Sequence, residues 1–184
     1  RRQGYDREER TSEEVEVAIE EKKGPVIICV DTSGSMQGAP ERVAKTITFA
    51  LAKKCLEEER GCYLSSFSTG IEVQDMSLFK RKDGLKELVK FLRKSFNGGT
   101  DAAPALRHGL ELMGSKDWKR ADLLLVSDFV MDGLSQQLVD AIKEQQGNGT
   151  RFFSLVIGHF TFKFIIYFIV CQSVYLISLR QIRY

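Results

Sequence analysis

Three short stretches carry side chains able to do chemistry together. Asp31, Ser33 and Ser35 follow at once on the apolar run VIICV. Thr100 sits in NGGTD with Gly98, Gly99 and Asp101, and Ser127 and Asp128 end ADLLLVSD. The set formed by Asp31, Ser33, Ser35, Thr100 and Asp128 is two carboxylates and three hydroxyls, with no histidine or cysteine. Hard oxygen donors of this kind suit Mg²⁺ or Mn²⁺ rather than zinc.

Mg²⁺ takes six oxygens at about 2.1 Å and usually keeps several waters. Ser33 and Ser35 could bind it through their hydroxyls. Asp31 and Asp128 could hold its waters, and Thr100 could bind directly or through a water. With both carboxylates kept off the ion, the ion stays electrophilic. An Asp or Glu from another protein is then its natural last ligand. The plainer alternative is that Asp31 and Asp128 only stabilise strand-ending turns. For Asp101 the plain reading is preferred, as N-cap of a helix starting at Ala102.

Enzyme readings of the same residues are weaker. An aspartic-protease loop needs Gly two residues after its Asp and a second copy of the loop, so that two carboxylates share a proton. Here Gly34 is three residues on and there is one copy. A haloacid-dehalogenase-type phosphatase needs an acid/base Asp where Ser33 stands. A serine nucleophile needs a positioned base. The two histidines are His108 and His159, and His108 reads as a packed or surface residue on a helix. No Walker A motif is present. The expectation is a protein that is not an enzyme, with a Mg²⁺-dependent phosphohydrolase as the alternative.

These residues must be held by strands and helices in alternation. PVIICVD and ADLLLVSD are apolar without polar alternation, as in strands covered on both faces. CYLSSFS and RFFSLVIG are further strands, and IEVQDM is a short antiparallel edge strand after the Thr69–Gly70 turn. Helices are expected over 39–60, with Val43, Ile47, Leu51 and Cys55 as its inner stripe, over 83–95, over 102–113 and over 134–147. The fold class is α/β: a doubly wound, mainly parallel sheet with helices on both faces. Ligands of such sheets bind beyond the carboxyl ends of the strands, where the three stretches fall.

VDTSGSM, NGGTD and VSDF, in this order and on these elements, resemble the metal-ion-dependent adhesion site (MIDAS) of von Willebrand factor type A (VWA) domains. Through GPVIICVDTSGSM, CYLSSFST, FNGGTD and LLLVSDF the chain is most similar to bacterial ViaA-type proteins. The resemblance covers roughly residues 24–158. It implies a VWA domain over 24–158 whose metal residues are Asp31, Ser33, Ser35, Thr100 and Asp128. It also implies a protein-interaction role as adaptor or co-regulator of a MoxR-type AAA+ ATPase of the RavA kind, together with a client protein. ViaA-type proteins carry a helical region before this domain, so a chain that starts at Arg1 is expected to be a C-terminal piece.

The remaining properties narrow the class. Hydrophobic residues make up 43% and charged residues 28%, and the net charge is +2. That balance is globular and gives no case for nucleic acid. The densest basic stretch, FKRKDGLKELVKFLRK, reads as the wet face of a helix with Leu85, Leu88, Val89 and Leu92 inward. The four cysteines form no C-x-x-C pair, and buried free thiols fit a reducing, cytoplasmic setting. Residues 1–23 read as a charged linker or the end of an upstream domain. Residues 159–184 form an atypical apolar tail without an acidic residue. It reads in three ways: a membrane anchor flanked by Arg180 and Arg183, a last helix and strand packed on the sheet, or an end altered by a reading-frame change.

Overall fold

The computed structural model describes residues 24–69, 71–74, 84–158 and 173–178. The expectations for residues 1–23, for the basic stretch before Gly84, and for tail residues 159–172 and 179–184 lie outside the described residues. Six strands form one sheet: β1 (Val26–Asp31), β2 (Cys62–Phe67), β3 (Ile71–Gln74), β4 (Asp122–Ser127), β5 (Phe152–Gly158) and β6 (Ser173–Ser178). The spatial order is β3-β2-β1-β4-β5-β6. Every pair is parallel except β2 with β3, which is antiparallel at one edge. β6 pairs with β5 at the other edge. Of the three readings of the tail, β6 carries the strand of the packed one. No described helix is long and apolar enough to cross a membrane.

The helices are α1 (Ala39–Glu57), α2 (Gly84–Arg93), α3 (Ala103–Met113) and α4 (Gln136–Gly147). Alternate strand residues face opposite ways, and the core divides accordingly. Ile27 and Cys29 of β1 pack with Ala105, Leu106 and Met113 of α3 and with Leu138 and Ile142 of α4. Ile28 and Val30 pack with Ala44, Ala52 and Cys55 of α1 and with Leu88 and Phe91 of α2. Both faces of β1 are therefore covered, which explains its unbroken apolar run.

Two helix faces differ from expectation. On α1 the buried line is Ala44, Thr48, Ala52 and Cys55, with Val43, Ile47 and Leu51 half-buried beside it. Small residues nearest the sheet let the helix close in, and the larger ones fill its flank. On α2, Leu88 and Phe91 are buried, while Val89 is 42% exposed. The i, i+3 pair faces the core and Val89 turns away from it. Leu92 is half-buried as expected, and the Leu85 side chain lies outside the described residues.

The strand order reverses between β1 and β4. β1 leads to β2 on one side, and the chain returns to place β4 on the other. Ligands of open α/β sheets bind at such a switch point, beyond the strands' carboxyl ends. Asp31 is the last residue of β1 and Ser127 the last of β4.

Candidate metal centre

Asp31 is fully buried and both of its carboxylate oxygens are engaged. Oδ1 accepts from the Ser33 backbone N–H at 2.9 Å. Oδ2 accepts from the Ser127 hydroxyl at 2.5 Å. The Ser127 oxygen in turn accepts from the Phe129 backbone N–H at 2.8 Å. β1 and β4 are in register up to Val30 opposite Val126, so the next residue of each strand, Asp31 and Ser127, meet side by side. Ser127 was read from sequence only as a neighbour of Asp128. Its part in fixing Asp31 depends on a pairing across the sheet that no local pattern reveals.

After Asp31 the chain leaves the strand. Thr32 ties the turn to β2, its N–H and hydroxyl both donating to the Phe67 carbonyl at 2.8 and 3.0 Å. Ser33 precedes a 3₁₀ turn at Gly34–Met36. Met36 is fully buried and anchors this turn. The Ser33 and Ser35 hydroxyls lie 3.1 Å apart and share a hydrogen bond, with Ser33 buried and Ser35 exposed.

The Thr100 loop is sewn to the same turn. Gly34 N–H donates to the Gly98 carbonyl at 2.9 Å, and Asn97 N–H to the Thr32 carbonyl at 2.8 Å. Gly98 has φ +95°, a conformation that favours glycine. A Cβ on Gly34 would come within 3.3 Å of the Gly98 carbonyl oxygen. The two glycines allow the close approach that brings half-buried Thr100 to this edge. Asp101 accepts from Ala103 N–H at 2.9 Å, so its carboxylate serves the start of α3, one residue later than expected.

Asp128 is half-buried, and its Oδ1 accepts from Val130 N–H at 3.0 Å. Phe129 between them has φ +58° and is 3% exposed. A buried aromatic residue holding the left-handed conformation was not legible in the sequence, because glycine or asparagine is the usual signal.

Burial raises the Asp31 carboxyl above its ordinary value. Hydrogen bonds from Ser127 and Ser33 oppose that rise without cancelling it, and the charge of Asp128 adds to it. Among the described residues no lysine or arginine offsets these two carboxylates. A divalent cation would supply the missing charge. The hydroxyls fit such an ion as well: two adjacent ligands of an octahedron with 2.1 Å bonds lie about 3.0 Å apart, close to the Ser33–Ser35 separation. Asp31, Ser33 and Ser35 are brought into direct contact, and Asp128 lies within electrostatic reach of Asp31. Thr100 is tied in through the backbone of its loop. No cluster of three His, Cys, Asp or Glu side chains occurs among the described residues, so a metal here would depend on hydroxyl donors.

His108 lies on α3, away from this edge. Its Nε2 is 2.8 Å from the Tyr63 hydroxyl, and the Tyr63 ring meets Trp118 edge-on. It is a packed histidine, as expected. Cys29, Cys55 and Cys62 are buried and free.

The family model of the VWA domain containing CoxE-like protein matches residues 10–156. The chain belongs to that family. Regulatory protein ViaA of Proteus mirabilis (strain HI4320) is 41% identical over 142 residues, covering 77% of this chain and 29% of its own length. Regulatory protein ViaA of Photorhabdus laumondii subsp. laumondii is 42% identical over 127 residues, covering 69% of this chain and 26% of its own length. The chain is thus a ViaA-type VWA domain protein that spans under a third of those relatives. Among solved structures, the SpRpn10 VWA domain superposes with a TM-score of 0.63 at 13% identity, over 85% of this chain and 88% of that one. Proximal thread matrix protein 1 from the mussel byssus, with a zinc occupied MIDAS motif, gives 0.64 at 15% identity, over 85% and 44%. At such identities the likeness is one of VWA fold.

Proposed function

We propose that this VWA domain is a metal-dependent protein-interaction module, acting as adaptor or co-regulator of a MoxR-type AAA+ ATPase. The observation that carries the reading is the pair of hydroxyls, Ser33 and Ser35, set 3.1 Å apart beside a fully buried and fully hydrogen-bonded Asp31. Asp31, Ser33, Ser35, Thr100 and Asp128 would hold Mg²⁺ or Mn²⁺. Bound there, the ion supplies an electrophilic centre for an acidic side chain of the ATPase or of a client protein.

The chain's own residues set this up. Ser127 and the Ser33 N–H fix the Asp31 carboxylate, which would hold a water of the bound ion. Ser33 and Ser35 offer neutral oxygens, so an ion held by them with the carboxylates kept off it would stay electrophilic toward an incoming carboxylate. Asp31 is unsuited to attack a substrate, since neither oxygen is exposed or without a hydrogen bond. The relatives' name as regulatory proteins and the zinc occupied MIDAS motif of the byssus protein support this reading.

The test is capture of a purified MoxR-type ATPase by the immobilised domain with Mg²⁺, with EDTA, and with Asp31→Ala or Ser33→Ala/Ser35→Ala. Capture should require both the ion and the hydroxyls while circular dichroism stays unchanged. Undiminished capture after complete metal removal contradicts metal bridging.

A further inference from the structure

Residues 128–135, DFVMDGLS, leave the metal edge and join β4 to α4. Phe129 is buried and belongs to the core shared with α3 and α4, whereas Val130 is 60% exposed. Met131 and Leu134 are half-buried against that same core. Among the described residues the exposed large hydrophobic side chains are Phe49, Leu56, Val89 and Val130. Val130 is the most exposed of them, and the other three lie on α1 and α2.

A single exposed apolar residue is ordinary on a protein surface. What sets Val130 apart is how it is held. Its N–H donates to Asp128 Oδ1 at 3.0 Å. The Phe129 N–H before it donates to the Ser127 hydroxyl at 2.8 Å, and Phe129 takes φ +58°. A left-handed backbone at a bulky residue is strained, and it persists where the surroundings fix it, often at a binding site. Here it sends the Phe129 ring inward and leaves Val130 outward. Both residues are fixed by Ser127 and Asp128, the groups that shape the metal centre. A serine at 130 would keep the bond to Asp128, so that bond alone does not call for an apolar side chain.

An acidic side chain that met an ion at this edge would bring its chain neighbours with it. In an extended segment the next residue stands about 3.8 Å along, and the one after it about 7 Å. Val130 hangs from the Asp128 carboxylate by a bond of 3.0 Å, so it stands within that reach of the site's own residues. A neighbour that is apolar would cover Val130. A neighbour that is polar would leave it in water.

We infer that Val130 is the apolar shoulder of the metal centre, and that the partner segment it fits carries an aliphatic residue directly beside the acidic residue that meets the ion. The inference rests on the metal-bridging reading above and names the partner's chemistry for that same site. Charge and apolar contact divide the recognition between them. The ion selects the carboxylate, and Val130 selects what stands next to it.

The experiment is an NMR titration of the 184-residue chain in Mg²⁺, read at backbone amides and valine methyl groups. The probes are three short peptides with blocked termini, alike except for a central Leu-Glu-Leu, Ser-Glu-Ser or Leu-Gln-Leu. Leu-Glu-Leu should bind saturably, shift the Val130 methyl signals and the amides of 33–35 and 128–131, and bind about fivefold tighter than Ser-Glu-Ser. Leu-Gln-Leu should bind far more weakly than either glutamate peptide. Val130→Ser keeps the N–H bond to Asp128 and should bring the two glutamate peptides to equal affinity, with Mn²⁺ binding unchanged. Equal affinity of the two glutamate peptides for the parent chain, or a preference for Leu-Glu-Leu that survives Val130→Ser, would overturn the inference and leave the metal reading standing. Failure of both glutamate peptides to bind saturably, or binding undiminished by EDTA, would overturn the metal-bridging reading and this inference with it.

Discussion

Ser127 donates to Asp31 Oδ2 at 2.5 Å although 96 residues separate them. This bond closes the switch point of the sheet, because it joins the carboxyl ends of β1 and β4. It also sets which way a buried carboxylate faces.

Ser127→Ala should therefore act on both stability and metal binding. It strips a donor from Asp31 Oδ2 and an acceptor from Phe129 N–H. A loss of about 1–3 kcal/mol is expected in urea unfolding. Mn²⁺ affinity should fall by roughly tenfold or more, as for other residues that orient a metal's ligands. Unchanged affinity would show that Ser127 does not act on the metal site.

Gly98→Ala tests the seam between the two loops. At φ +95° an added Cβ is strained, and the expected cost is about 1–2 kcal/mol with weaker metal binding. Gly133 is the control: a Cβ there meets nothing within 4 Å. Gly133→Ala should stay within about 0.5 kcal/mol of the parent. Equal effects of the two substitutions would remove the argument for the Gly98 conformation.

Much of this architecture was readable from local pattern. Apolar runs ending in Asp31 and Asp128 marked two buried strands and their carboxyl ends. What escaped reading was non-local or depended on fit. The inner line of α1 falls on Ala44, Thr48 and Ala52, because closeness to the sheet, rather than bulk, decides which residues are covered. Phe91 outcompetes Val89 for the core by direction around the helix. The role of Ser127 arises from register across the sheet, and the left-handed Phe129 has no residue signal.

The Cys29 thiol gives a pH dependence. Burial pushes it up from 9.0 to about 12. A raised folded-state value means that its contribution to stability is fully present below the ordinary thiol range. That contribution is lost as pH climbs from about 9 towards 12. Unfolding midpoints should fall across that window, and the fall should be smaller in Cys29→Ala. At pH 8 the native Cys29 thiol should resist alkylation, read by peptide mass mapping. Rapid labelling of Cys29 in the folded domain would contradict its burial.

Tyr63→Phe probes the His108 contact. Losing the 2.8 Å bond should cost about 1 kcal/mol in unfolding and leave metal affinity unchanged. A large change in metal binding would give the Tyr63–His108 pair a role that its place between β2 and α3, away from the metal edge, does not supply.

Mn²⁺ binding followed by electron paramagnetic resonance reads the five-residue metal centre directly. One site per 184-residue chain is expected, lost in Asp31→Ala and in Ser33→Ala/Ser35→Ala and weakened in Thr100→Ala and Asp128→Ala. Binding of Mn²⁺ that is undiminished in Asp31→Ala and in Ser33→Ala/Ser35→Ala, with both variants folded, would contradict it.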